Sequence, residues 1–230
     1  MLPLGRFFVW VVLSVTAGDD ALGTAPRILQ LPTLDAVCFT FRGRDLRPEE
    51  PTTLGGIERE DVVAIIRFLE AEGWPRNRQV LVGVRQGAGV ALLALADVER
   101  SRPPLAGALL ESPFKDLADA AHNHLRGTLG AMAWTAHPAE ALALWRAGRV
   151  AGFDPAEVSP LRASAGLLTP IALLAGEADT VTPLPGVRAI ARTHPDLTIV
   201  PQAEHLEAGA RINGGWEAWA EFRLRRWGLT

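Results

Sequence analysis

The feature that most constrains this chain is an alternation of apolar runs with helix-patterned stretches. Runs rich in β-branched and aliphatic residues fall at about 7–13, 35–41, 79–84, 105–110, 170–175 and 197–201. Most are apolar at successive positions rather than at every second one. A strand that is apolar on both sides must be covered on both sides, which calls for a parallel sheet between two layers of helix. The expected architecture is therefore an α/β fold with a mainly parallel sheet of about six strands and helices on both faces.

The intervening stretches support this. From Gly56 to about Glu72, Val62, Ile65, Ile66 and Leu69 recur at helical spacing, acidic residues occupy the first turns, and Gly73 supplies a stop. A second helix, Ala88 to about Glu99, follows VLVGV directly and is apolar almost throughout, as the most buried helix of such a fold should be. Residues 113–169 depart from the pattern. They hold helix-like pieces at about 116–126 and 138–148 and a turn or helix start in DPAEVSP (Asp154 to Pro160), with no strand. This stretch reads as a short helical lid inserted between the fourth and fifth strands of one domain covering 1–230. Trp216, Trp219 and Trp227 are spaced for core packing on a last helix.

The first segment admits two readings. FFVWVVL fits an interior strand, whereas Arg6, the apolar run and the Val15-Thr16-Ala17 step also fit a short secretory signal. The alternation needs a strand here. A net charge of −3 gives no general attraction to nucleic acid or anionic lipid, and no apolar run is long enough for a transmembrane helix. Arg223, Arg225 and Arg226 read as a solvated helix face. The single cysteine, Cys38, lies between Val37 and Phe39 and reads as part of a buried strand. It suits a reducing, cytoplasmic location; secretion is what the signal reading implies.

The chemistry-bearing residues begin with LVGVRQGAG (Leu81 to Gly89), where a strand turns sharply into a helix through Gly83-Val84-Arg85-Gln86-Gly87. Both glycines match the nucleophile-elbow frame G-x-S-x-G, with arginine at the serine position. From this point the chain resembles the α/β-hydrolase superfamily over about residues 8–227, and most nearly its small bacterial peptidase-like and esterase-like serine hydrolases. FTFRGRD (Phe39 to Asp45) resembles the strand-end D-x-R-G-x-G segment, TTLGGIEREDV the helix start after it, and ESPFKDL (Glu111 to Leu117) the strand end after the elbow helix. The resemblance implies Asp179, in PIALLAGEADTVTP, as the triad acid and His205, after TIVPQAE, as the base. It also implies that the family's N-terminal antiparallel hairpin is missing here, which would expose a sheet edge to a protein partner.

Two departures from the family set the functional expectation. Arg85 is always protonated and offers only donors, so it can neither attack a carbonyl nor abstract a proton. In LSVTAGDD (Leu13 to Asp20), Ser14 and Val15 stand where the family has His and Gly, and the implied oxyanion donors are the backbone amides of Thr16 and Gln86. A cation at a pocket-facing turn needs a partner: Asp179 directly or through His205, Glu177 or Asp19. It then forms a structural ion pair, or an anion clamp for a carboxylate or phosphate. Ser14 and Ser112 border the expected pocket as strand-end hydroxyls but sit on no elbow.

No cofactor or metal site is expected. His122 and His124 are two apart in a helix and face apart, while His137 and His194 each precede a proline and read as loop residues. Two functions follow. The first is a hydrolase-fold protein with impaired ester or peptide hydrolysis, acting as a binding or regulatory module for a small molecule or peptide. The alternative is an active enzyme in which His205 and Asp179 serve as general base and orienter, with Arg85 holding an anionic substrate.

Overall fold

The computed structural model describes residues 8–13, 34–43 and 49–229. Strands β1 (Phe8–Leu13), β2 (Leu34–Cys38), β3 (Gln79–Val84), β4 (Gly107–Glu111), β5 (Ile171–Gly176) and β6 (Asp196–Val200) form one sheet in the order β2-β1-β3-β4-β5-β6. Every pairing is parallel. The chain steps from β1 outward to β2, then returns across β1 to lay down β3 and the rest in one direction. Strand order thus reverses between β1 and β3, and ligands of open parallel sheets gather at the carboxyl ends of the strands at such a point.

Successive strand side chains point to opposite faces, and each face has its own core. Leu81, Ala108, Leu110, Ile171, Leu173 and Ala175 pack beneath Val62, Ile66 and Leu69 of helix α1 (Glu58–Ala71) and the apolar residues of helix α2 (Gln86–Glu99). On the other face Val80, Val82, Leu109, Ala172 and Leu174 meet Trp216, Trp219, Ala220 and Leu224 of the last helix, Gly215–Arg226. This two-sided burial is why the strands read as continuous apolar runs. The Trp227 ring lies where a side chain on Gly107 would project, which ties the end of that helix to the base of β4.

The turn before α1 is built on a fully buried carboxylate. Glu58 accepts hydrogen bonds from Thr53 N (2.7 Å), Thr53 Oγ1 (2.5 Å) and Gly55 N (2.8 Å). These satisfy backbone donors of the turn that leads into the helix and flank Leu54, which sits at φ 55°. Gly73, at φ 91°, terminates the helix region.

The excursion between β4 and β5 contains α3 (Leu117–Leu129), a 3-10 segment (Gly130–Ala136), α4 (His137–Ala151) and α5 (Pro160–Ser164). Asp116 caps α3 by accepting from Asp119 N, and Ser159 caps α5 by accepting from Arg162 N. Leu117 N donates to Val158 O and Leu161 N to Lys115 O, so the two ends of the excursion are stitched together. Helices α6 (Leu184–Ala191), α7 (Ala208–Arg211) and α8 (Gly215–Arg226) complete the chain.

Four local expectations are corrected. Cys38 is exposed, because β2 is an edge of the sheet. Arg223 is not part of a solvated face: its guanidinium lies over the Trp219 and Phe222 rings and donates to Thr198 Oγ1 at 2.6 Å. His194 is a buried residue whose Nε2 contacts Ser164 O at 2.9 Å. His137 opens α4, since a proline just inside a helix start forfeits no intrahelical hydrogen bond. Ser14, Val15, Thr16 and Asp19 lie outside the described residues.

Candidate functional site

The site is assembled where β3, β5 and β6 end. Arg85 is the single residue between β3 and α2, and it takes φ 57° and ψ −119°, which side-chain-bearing residues rarely adopt. Its backbone is pinned on both sides: Arg85 N donates to Glu111 O at 2.8 Å, and Gly89 N donates to Arg85 O at 3.2 Å. The turn also needs Gly83. A Cβ there would stand 2.7 Å from Ala88 Cα and 2.7 Å from Gly87 O, so any side chain would push helix from strand.

From this turn Arg85 Nε reaches His205 Nε2 at 2.7 Å, across 120 positions of sequence. His205 Nδ1 in turn lies 2.8 Å from Asp179 Oδ2 and 3.0 Å from Oδ1. Arginine only donates, so Nε2 is the acceptor and the ring hydrogen sits on Nδ1, donated to Asp179. The result is a directional chain, Arg85 to His205 to Asp179, with the imidazole between the cation and the carboxylate. Arg85 is therefore coupled to Asp179 through His205, while Glu177 accepts from Gln202 N.

Asp179 is held by its own loop. Its carboxylate accepts from Val181 N (2.9 Å), Thr182 N (2.8 Å) and Thr182 Oγ1 (2.7 Å). Burial alone would raise its pKa, but the hydrogen bonds from His205 and Thr182 outweigh that and hold it below the usual aspartate value. Behind the site is a carboxyl that the sequence pattern did not single out. Glu111, at the end of β4, is 6% exposed and accepts from Gly209 N at 2.9 Å. Burial pushes it above the usual glutamate value, although Gly209, His205 and Arg85 all pull the other way. Its neighbour Ser112 is buried at φ 51° and donates its backbone N–H to Leu174 O, as a strand-end residue.

Arg85 and His205 stand in the wall of a cavity of about 530 Å³. Its other walls are mainly apolar: Leu54, Phe114, Leu125, Leu144 and Val181. Residues of α3 and α4 contribute one side, so the excursion shapes this space. Gln86 also lines it, and Gln86 Nε2 is buried with no hydrogen-bond acceptor among the described residues. A second cavity of about 720 Å³ is bordered by His122, His137, Asp179 and Thr180.

No protein-family model and no curated protein sequence matches the chain. Solved structures do match. The esterase Pf2001 of Pyrococcus furiosus superposes with a TM-score of 0.71 at 18% identity, over 97% of this chain and 84% of the esterase. A propionate-bound thermophilic esterase, Est2 of the planctomycete Thermogutta terrifontis, gives a TM-score of 0.69 at 17% identity, over 98% and 85%. A mutant of the esterase E40 gives 0.68 at 21% identity, over 98% and 79%. This chain therefore has the α/β-hydrolase-like fold of these esterases.

Proposed function

We propose that this protein is a hydrolase-fold binding module in which serine-dependent hydrolysis has been lost and Asp179 and His205 survive as structural partners of Arg85. The observation that carries this is the 2.7 Å hydrogen bond from Arg85 Nε to His205 Nε2. A general base needs that nitrogen's lone pair for a proton, and here an arginine that can never accept one occupies it. Oxyanion donors alone, without a nucleophile, would stabilise a tetrahedral intermediate that cannot form.

The ligand this reading favours is a small, mostly apolar molecule, because the walls of the cavity around Arg85 and His205 are mainly apolar. The excursion at 113–169 acts as the lid over this ligand. A second reading has one observation behind it: His205 itself lines the cavity. An anionic substrate that drew Arg85 away from Nε2 would free His205 to activate water, with Asp179 fixing the ring.

One experiment separates the readings. The unsubstituted protein, Arg85→Ser, His205→Ala and the double variant are assayed against a panel of activated esters and aminoacyl arylamides. The binding-module reading expects the unsubstituted protein to be silent, Arg85→Ser to gain turnover, and the added His205→Ala to abolish that gain. Turnover by the unsubstituted protein that disappears in His205→Ala overturns it in favour of a serine-independent enzyme.

A further inference from the structure

The excursion carries a second cluster of chemistry-bearing side chains that the Arg85–His205–Asp179 chain does not use. His122 on α3 and His137 at the start of α4 stack, with ring centroids 4.6 Å apart and planes 7° from parallel. Both present Nδ1 to the same carboxylate oxygen, Glu140 Oε2, at 3.3 Å for His122 and 3.7 Å for His137. One ligand atom from each of the three residues lies within 4.8 Å of the others.

Local sequence explains the convergence. His137 and Glu140 are three apart on α4 and so share a face, while the 3-10 segment returns the chain so that α4 packs beside α3 and His122. The Glu140 side chain is only 9% exposed, that of His122 27% and that of His137 59%. The cluster thus has a buried anionic floor and an open side, where an ion could enter.

Two imidazoles and one carboxylate are a donor set for a borderline divalent ion, and three protein ligands leave a coordination position for water. With Zn–N distances of about 2.0–2.1 Å, two nitrogens on a tetrahedral ion lie roughly 3.3 Å apart, so the present spread has to contract by an ångström or so. An imidazole lone pair lies in the plane of its ring. Two parallel rings cannot both aim at one ion, and binding must turn at least one ring out of the stack. The exposed His137 has room to make that turn.

We propose that His122, His137 and Glu140 bind one divalent transition-metal ion of the Zn²⁺ type, clamping α3 to α4 at the rim of the cavity. Glu140 lines the same cavity as Arg85 and His205, so the ion fixes the wall of the ligand space from its far side. This inference stands on the excursion alone and does not depend on whether the protein hydrolyses anything.

Calorimetric titration of the chelator-stripped full chain with Zn²⁺ at neutral pH tests it. The expected result is one ion per chain, weakened at least about tenfold by His137→Gln and by Glu140→Gln and unchanged by His124→Gln. His137 is exposed, so its substitution leaves the fold intact, which the circular dichroism spectrum of each variant checks. Co²⁺ in place of Zn²⁺ is expected to give the visible absorption of a four- or five-coordinate nitrogen–oxygen site. Absence of stoichiometric binding overturns the proposal. So does binding that His137→Gln leaves untouched but His205→Ala or Cys38→Ser removes.

Discussion

Arg85 and His205 meet with the arginine as donor and the imidazole as acceptor, at 2.7 Å. That polarity commits the Nε2 lone pair of His205 to Arg85, while Nδ1 faces Asp179. It also comes with an unusual backbone. Arg85 is not glycine, yet it sits at φ 57° and ψ −119°.

The strain at that position can be isolated by comparing Arg85→Gly with Arg85→Ala. Both remove the guanidinium and its bond to His205, but only glycine occupies the turn without steric cost. After allowance for glycine's greater freedom in the unfolded chain, Arg85→Gly is expected to be the more stable variant by roughly 0.5–2 kcal/mol. Urea unfolding of the two proteins measures the difference, and equal stability would mean that the turn is not strained.

Gly83 is expected to tolerate no side chain. Its ideal Cβ stands 2.7 Å from two backbone atoms of the elbow helix, Ala88 Cα and Gly87 O, and backbone cannot swing aside as a flexible side chain can. Gly83→Ala should cost at least about 1–3 kcal/mol, the usual penalty of overpacking. Gly127→Ala is the control, because open space surrounds it. Thermal melts of the two variants should separate clearly.

The two buried carboxyls at the site should bend the pH dependence of stability in opposite directions. Asp179 is held below the ordinary value of 3.8, so its contribution is present above that value and is lost as pH falls through the lower folded-state value. Glu111 is raised above the ordinary value of 4.5, so its contribution is full below 4.5 and is lost as pH rises through the higher folded-state value. Asp179→Asn is therefore expected to destabilise at neutral pH and to flatten the acid limb. Glu111→Gln, which keeps an acceptor for Gly209 N, is expected to remove a decline on the neutral side of 4.5. Urea midpoints across the acid-to-neutral range read both, and a Glu111→Gln curve parallel to that of the unsubstituted protein would refute the second.

What the sequence made legible follows from where the physics is local. Strand β3, helix α1 and the elbow between Gly83 and Gly87 were readable because periodicity and glycine spacing are properties of neighbouring residues. The coupling of Arg85 to Asp179 through His205 was one of several options open at that level, since residues 120 apart carry no mark of which will touch. Cys38 misled for a related reason: an apolar strand reads the same at an edge as in the middle, and only the strand order places it at the rim. His137 was hidden by Pro138, which signals a loop to a reader of dipeptides but is compatible with the first turn of a helix. Glu111 looked like one more strand-end residue, because burial on both faces of β4 becomes visible only once α7 is in place and Gly209 donates to it.

The two faces of the sheet also differ in when they can be covered. Helices α1 and α2 alternate with the strands they cover, so that layer can close while the chain is still being synthesised. The opposite face, with Val80, Val82, Leu109, Ala172 and Leu174, waits for Trp216, Trp219 and Leu224, which follow all six strands. Until that segment leaves the ribosome, these strand residues lack the tryptophan cover it supplies. A nascent chain paused short of Trp216 is therefore expected to lean on a chaperone more than the full chain does.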